Sequence, residues 1–88
     1  MKKHYEPIYF HLADILRKER QKRNLSQLEL AALTGIKRTT ITAMENGNSR
    51  VMIHDLLVFA KAFNLQIHDL LPIDYIKAES LLKEQEKK

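Results

Sequence analysis

The stretch QLELAALTGIKRTTITAMEN, Gln27 to Asn46, decides how the rest of the chain is read. Just before it, Ser26-Gln27-Leu28-Glu29 has the S-x-x-E form of a capping box. In that motif the serine hydroxyl accepts the Glu29 N–H and the glutamate reaches back to the Ser26 N–H. Leu28, Ala31 and Ala32 then recur at helical spacing, with Leu30 and Leu33 beside them. Gly35 stands where a helix of about eight residues needs a left-handed C-terminal residue. The second half predicts another helix over 37–46, ended by Gly47. Ile41 and Met44 face inward on it, and Arg38, Thr39, Thr42 and Ala43 fall on the other side. Thr39, Thr40 and Thr42 are poor residues for an isolated helix, because β-branching restricts χ1. Tertiary packing or a ligand must therefore support this segment.

Two short helices joined by a turn with a glycine form the layout of a helix-turn-helix. Each position has the type that this geometry needs. Ala31 is small, so the second helix can cross close to it. Gly35 supplies a backbone conformation that other residues resist. Ile36, Ile41 and Met44 fill the angle between the helices.

Working outward, Pro7 separates a polar start from a helix over Ile8 to Arg23, with Ile8, Leu12, Ile15 and Leu16 at helical spacing, Ala13 beside them and Asn24 as the stop. Downstream, Asn46-Gly47-Asn48-Ser49-Arg50 is a polar loop. Ile53 to Phe63 predicts a fourth helix with Ile53, Leu56, Leu57, Ala60 and Phe63 as its inward stripe and Asn64 as its end. Ile67, Leu70 and Leu71 suggest a short fifth helix closed by Pro72. Asp74 is placed to cap a last helix from Tyr75 to about Glu86, with Tyr75, Ala78 and Leu82 on one face and Leu81 beside them. The expected architecture is all-α: a five-helix domain with a helix-turn-helix over 1–72 and a helical tail over 73–88.

Length and composition narrow the function. The 88 residues suit one domain, and a chain of this size buries only roughly 60–65% of its unfolded surface, which leaves little room for a deep cleft. There is no cysteine, hence no disulfide, thiol nucleophile or Cys-ligated zinc. No apolar run approaches a membrane span, and MKKHYEPIYF does not read as a signal peptide, so a cytoplasmic protein is expected. His4, His11, His54 and His68 share no ligand spacing, and none sits in a nucleophile motif. His54-Asp55 and His68-Asp69 are adjacent pairs, which a helix does not turn toward each other. Two glycines leave no phosphate-cradling loop. Catalysis, a metal, a cofactor and a small-molecule ligand are therefore not expected. The formal charge is +4. Residues 1–71 carry 11 basic and 7 acidic groups, whereas 72–88 carry 4 of each. The densest cluster is Arg17, Lys18, Arg20, Lys22 and Arg23, opposed by Glu19, and a looser group is Lys37, Arg38 and Arg50. A basic domain attracts polyanions.

From about Leu12 to Leu71 the chain resembles the Cro and phage-repressor family of helix-turn-helix regulators, also called the xenobiotic-response-element type. The resemblance rests on Leu16-Arg17…Arg20, Leu25-Ser26-Gln27…Glu29-Leu30-Ala31…Gly35-Ile36, Thr40-Ile41…Glu45-Asn46-Gly47 and Leu56…Ala60…Leu65. It implies five helices, the third lying in the DNA major groove, and a structural ion pair between Arg20 and Glu45. Three positions depart from the pattern. Lys37 replaces the usual Ser or Thr cap of the recognition helix, Val51 stands near a usual proline, and Glu19 occupies a site that is often leucine.

The implied function is a sequence-specific regulator of transcription, a repressor, that binds double-stranded DNA as a homodimer on a palindromic operator. Arg38, Thr39, Thr42 and Ala43 are the candidates for base edges. Arg38 suits guanine O6 and N7, or otherwise a phosphate. The threonines offer a hydroxyl to a base or a methyl to thymine, and Ala43 offers only apolar contact. Thr40 is expected to pack or to bond the backbone. Gln27, at a helix N-terminus, is assigned to a phosphate or else faces solvent. Lys37, Asn46, Asn48, Ser49 and Arg50 are assigned to phosphates around the loop. Tyr75, Ile76, Leu81 and Leu82 are candidate dimer contacts, the alternative being that the tail folds back on its own core. The other functional readings are an antitoxin-like or adaptor protein whose main partner is a protein, and a restriction–modification controller protein.

Overall fold

The computed structural model describes residues 7–78, and no strand occurs among them. Helix α1 spans Pro7–Lys22, α2 Gln27–Thr34, α3 Arg38–Glu45 and α4 Ile53–Phe63. A 3-10 turn at Ile67–Leu70 follows, and residues 73–78 are again helical. α3 packs against both α1 and α2, and α4 closes the far side against α2 and the 3-10 turn. Leu12, Leu16, Leu30, Ile41, Met44, Val51, Leu56, Phe59, Ala60, Phe63 and Leu70 form one buried cluster.

The helix ends are set by local chemistry. Ser26 Oγ accepts the Glu29 N–H at 2.9 Å, and Glu29 Oε1 accepts the Ser26 N–H at 2.8 Å. The Ser26 backbone N–H, and after it the Ser26 hydroxyl, hold the Glu29 carboxyl below its ordinary range. Asn64 closes α4 in the left-handed conformation at φ 57°. At Val51 the missing proline is offset from the next turn of chain: Val51 joins the core, and Asp55 Oδ2 accepts the Met52 N–H at 3.1 Å to start α4.

Several expectations are corrected. On α4, Ile53 and Leu57 are 66% and 52% exposed, and the inward face is Leu56, Phe59, Ala60 and Phe63. Eight of the eleven α4 residues are apolar, so periodicity alone does not single out one face. On α2 the buried residue is Leu30, whereas Leu28, Ala32 and Leu33 are exposed. α3 is one residue shorter at each end than predicted, because the chain leaves the helix at Asn46 before turning at Gly47. Asp74 does not cap the last helix: helical residues begin at 73, and the Pro72 carbonyl accepts the Ile76 N–H at 3.0 Å. The predicted extent to Glu86, with Leu81 and Leu82, lies outside the described residues. His68 and Asp69 do meet, at 3.2 Å, on the tighter 3-10 turn, where Asp69 also accepts the Gln66 N–H.

Glu19, the departure on α1, has a structural use. Its carboxylate pairs with Lys22 and Arg23, both at 2.9 Å. Arg23 in turn donates to the Phe63 carbonyl at 2.7 Å and lies 4.9 Å from the centre of the Phe63 ring. A cation is thus held at the C-terminal end of α4, where the helix dipole favours it. The hydrogen bonds from Lys22 and then Arg23 lower the Glu19 pKa below 4.5. A depressed carboxylate pKa adds stability above the ordinary glutamate range, and that stability is lost as pH falls through the folded-state value. Glu19→Gln is therefore expected to unfold more easily than the parent at pH 7. The gap should close progressively below pH 4.5, as checked by urea denaturation across pH.

Candidate nucleic-acid interface

The turn between α2 and α3 is built from its own side chains. Gly35 ends α2 at φ 76°, and its N–H bonds the Ala31 carbonyl at 2.9 Å. Thr34 Oγ1 donates to the Leu30 carbonyl at 2.8 Å and accepts the Ile36 N–H at 3.2 Å. Ile41, Met44 and Glu45 are the buried stripe of α3. Its opposite side carries Arg38 and Thr39, both exposed, and Thr42 and Ala43, both half-buried. Thr40 is half-buried between the two sides. Lys37 starts α3 in extended conformation with no side-chain cap bond, so the N-terminal turn of this helix depends on packing.

A buried ion pair orients α3. Glu45 is 3% and Arg20 13% exposed in their side chains. Arg20 Nε donates to Glu45 Oε2 at 2.7 Å, and Arg20 Nη2 donates to Oε1 at 2.8 Å. The carboxylate raises the Arg20 pKa further, chiefly through these hydrogen bonds. Arg20 also donates to the Leu25 carbonyl, and Arg17 donates to the Glu45 carbonyl. The pair continues outward. Gln27 Nε2 donates to Glu45 Oε1 at 3.1 Å, and Thr42 Oγ1 donates to Gln27 Oε1 at 2.8 Å. Gln27, assigned from sequence to a phosphate, thus has its amide turned toward Glu45 and Thr42. Sequence reasoning missed this link because it joins residues fifteen apart across a turn and follows no helical spacing.

The charge separates into two populations. Arg17 and Lys18 bind Asp14 at 2.6 and 2.9 Å, Arg20 binds Glu45, and Lys22 and Arg23 bind Glu19. Each of the five cations in the densest basic cluster is thus paired with one of three carboxylates of the protein itself. Asp14 is held below its ordinary pKa, first by Lys18. Lys37, Arg38 and Arg50 are exposed and pair with none of the described carboxylates. Asn46 and Asn48 are exposed beside them, and Ser49 is half-buried with its hydroxyl on the Arg50 carbonyl. Recognition helix and loop therefore present three exposed cations, free of these ion pairs, on one stretch of chain. Tyr75 lies elsewhere, stacked on His11 with ring centres 4.3 Å apart, and Ile76 is half-buried.

This arrangement defines a DNA-binding helix-turn-helix regulator. The chain belongs to the helix-turn-helix family of the Cro and phage-repressor type, whose model matches residues 16–70. It is 37% identical over 68 residues to the control protein C.SmaI of Serratia marcescens, covering 77% of this chain and 81% of that one. The restriction-modification controller protein C.AhdI from Aeromonas hydrophila is similar in structure. Its TM-score is 0.70 at 28% identity, covering 72% of this chain and 96% of that one. A hypothetical transcription factor, NHTF from Neisseria, gives a TM-score of 0.71 at 25% identity over 89% of this chain and 97% of that one. No helix among the described residues is long and apolar enough to cross a membrane.

Removing one member of a buried ion pair strands the other, at a cost of about 3–5 kcal/mol. Glu45→Ala is expected to lose that much in urea denaturation. The double replacement Arg20→Met with Glu45→Met should recover most of the loss, because neither charge is then buried alone.

Proposed function

We propose that two copies of this chain bind a palindromic operator in double-stranded DNA and repress transcription, in the cytoplasm and by binding alone, without catalysis. The observation that carries this reading is the set of unpaired cations Lys37, Arg38 and Arg50 around α3, while the other basic side chains of the α1 cluster are engaged internally. Arg38, Thr39, Thr42 and Ala43 read bases. Lys37, Asn46, Asn48, Ser49 and Arg50 hold phosphates, and the N-terminus of α2 at Gln27 meets a further phosphate through its backbone. Residues 1–72 form the DNA-binding unit, and 73–88 follow it as a tail.

One eight-residue recognition helix covers few base pairs. A two-fold dimer doubles the contact and sets half-sites about 34 Å apart. For the seat of the second copy, the exposed apolar residues Met52, Ile53 and Leu57 support the start of α4, which follows directly on the DNA-facing loop. The tail is the competing seat. Tyr75 and Ile76 support the folded-back arrangement instead, since Tyr75 stacks on α1 and both are half-buried. Sedimentation decides between them: Leu57→Lys should yield monomers and Leu81→Lys should not, whereas the reverse assigns the interface to the tail.

Similarity to C.SmaI and C.AhdI favours one regulatory setting, control of a restriction–modification system. The alternative, an antitoxin-like or adaptor protein with a protein target, predicts no enriched DNA motif and a shallow salt dependence. Binding-site selection with a salt titration tests the DNA reading. Arg38→Ala should weaken specific binding by about 1–3 kcal/mol and relax one base position. Lys37→Ala should weaken all sequences alike and lower the salt slope by about one. An unchanged consensus for Arg38→Ala would move that residue from base to phosphate.

A further inference from the structure

The hydrogen bonds from Glu45 to Thr42 have a direction. Glu45 is buried and pairs with Arg20 as a carboxylate, so it can only accept. Gln27 must therefore present its NH2 to Glu45, which turns its carbonyl oxygen to the other side. That oxygen can only accept, so the Thr42 hydroxyl must donate to it, at 2.8 Å. The second acceptor within reach is the Arg38 carbonyl at 3.0 Å, on the same helix. The bond to Gln27 is the shorter of the two and the one that the Glu45 carboxylate dictates, so it takes the one hydrogen that the hydroxyl has.

The consequence lies in the groove. Guanine N7 and O6, adenine N7 and thymine O4 are all acceptors. A hydroxyl with no free hydrogen cannot read them. Its oxygen is also turned toward Gln27 on α2. The methyl of threonine sits on a different staggered arm of Cβ from the hydroxyl. We infer that Thr42 reads a thymine by apolar contact with its methyl group, and that Gln27 is the positioning residue that imposes this choice. The inference rests on the DNA reading of α3 and names what one of its residues recognises. It resolves the hydroxyl-or-methyl alternative that the sequence leaves open at Thr42. Thr39 remains unconstrained, since it is exposed on the same helix with no side-chain bond of this kind among the described residues.

The test uses the full chain and the duplex enriched by site selection. Each thymine of the half-site is replaced in turn by deoxyuridine, which lacks only the methyl. At one thymine per half-site the parent should lose about fourfold in affinity, the worth of burying one methyl group. Thr42→Val keeps the methyl and should keep that thymine-over-uracil ratio. Thr42→Ser keeps the hydroxyl and should bind both duplexes equally. Gln27→Ala should bring the ratio toward one, and Gln27→Ala with Thr42→Val should restore it. If Gln27→Ala weakens both duplexes with the ratio intact, Gln27 is only structural and its positioning role is overturned. If no thymine is sensitive, or if Thr42→Ser keeps the ratio and Thr42→Val loses it, the methyl contact is overturned while the DNA reading stands. If selection enriches no sequence at all, the DNA reading itself fails.

Discussion

The rest of the structure depends on one buried carboxylate. Glu45 is the last residue of α3 and is almost wholly enclosed, held by Arg20 from α1. An uncompensated charge there would be expensive, so its two donors on Arg20 are a condition of folding, and the Gln27 amide adds a third bond to them. α3 needs such an anchor. It is eight residues long, carries three threonines, and has no side-chain cap at Lys37. Helices this short have little stability of their own in water. Its place is fixed by Ile41 and Met44 in the core and by Glu45 at the far end, and Arg17 on the Glu45 carbonyl closes the C-terminal side.

Where one local motif determined the outcome, the sequence was sufficient. Ser26 and Glu29 announce the start of α2, Gly35 its end, and Asn64 the end of α4, because each works through bonds within a few residues. Facing directions were harder. The stripes expected on α2 and α4 included Leu28 and Leu57, which are exposed, and omitted Phe59, which is buried. Both helices are apolar over most of their surface, so the choice of face belongs to the neighbours and not to the helix. His68 and Asp69 failed for a different reason: α-helical geometry separates adjacent side chains, but the segment is a 3-10 turn. At the interface, the positions of Arg38 and Thr39 on the open side of α3 follow directly from period. The Gln27–Thr42 link does not, because it depends on where α2 and α3 cross.

Charge changed meaning once it was placed. A total of +4 and the cluster from Arg17 to Arg23 pointed to a polyanion, and the cluster held the greatest density. In the fold that density is a scaffold. Asp14, Glu19 and Glu45 bind it, and Arg23 bridges α1 to the end of α4. Lys37, Arg38 and Arg50, further along the chain, are exposed and outside these pairs, and they sit on and beside α3. Exposed charges act over a Debye length of about 8–10 Å, so position relative to α3 counts for more than number.

These two facts together divide the recognition helix into separable parts. Arg38 and Thr39 project from its open side, and replacing them need not disturb the core. Thr42 is different. Its hydroxyl belongs to a chain of donors and acceptors that ends on the carboxylate which seats the helix, and the polarity of each bond is dictated by the one before it. A change at residue 42 that demanded a hydroxyl donor toward DNA would oblige Gln27 to find another donor, and Gln27 cannot reverse its amide without presenting an oxygen to Glu45. The same physical constraint that lets a weak helix form therefore limits what the Thr42 hydroxyl can donate to.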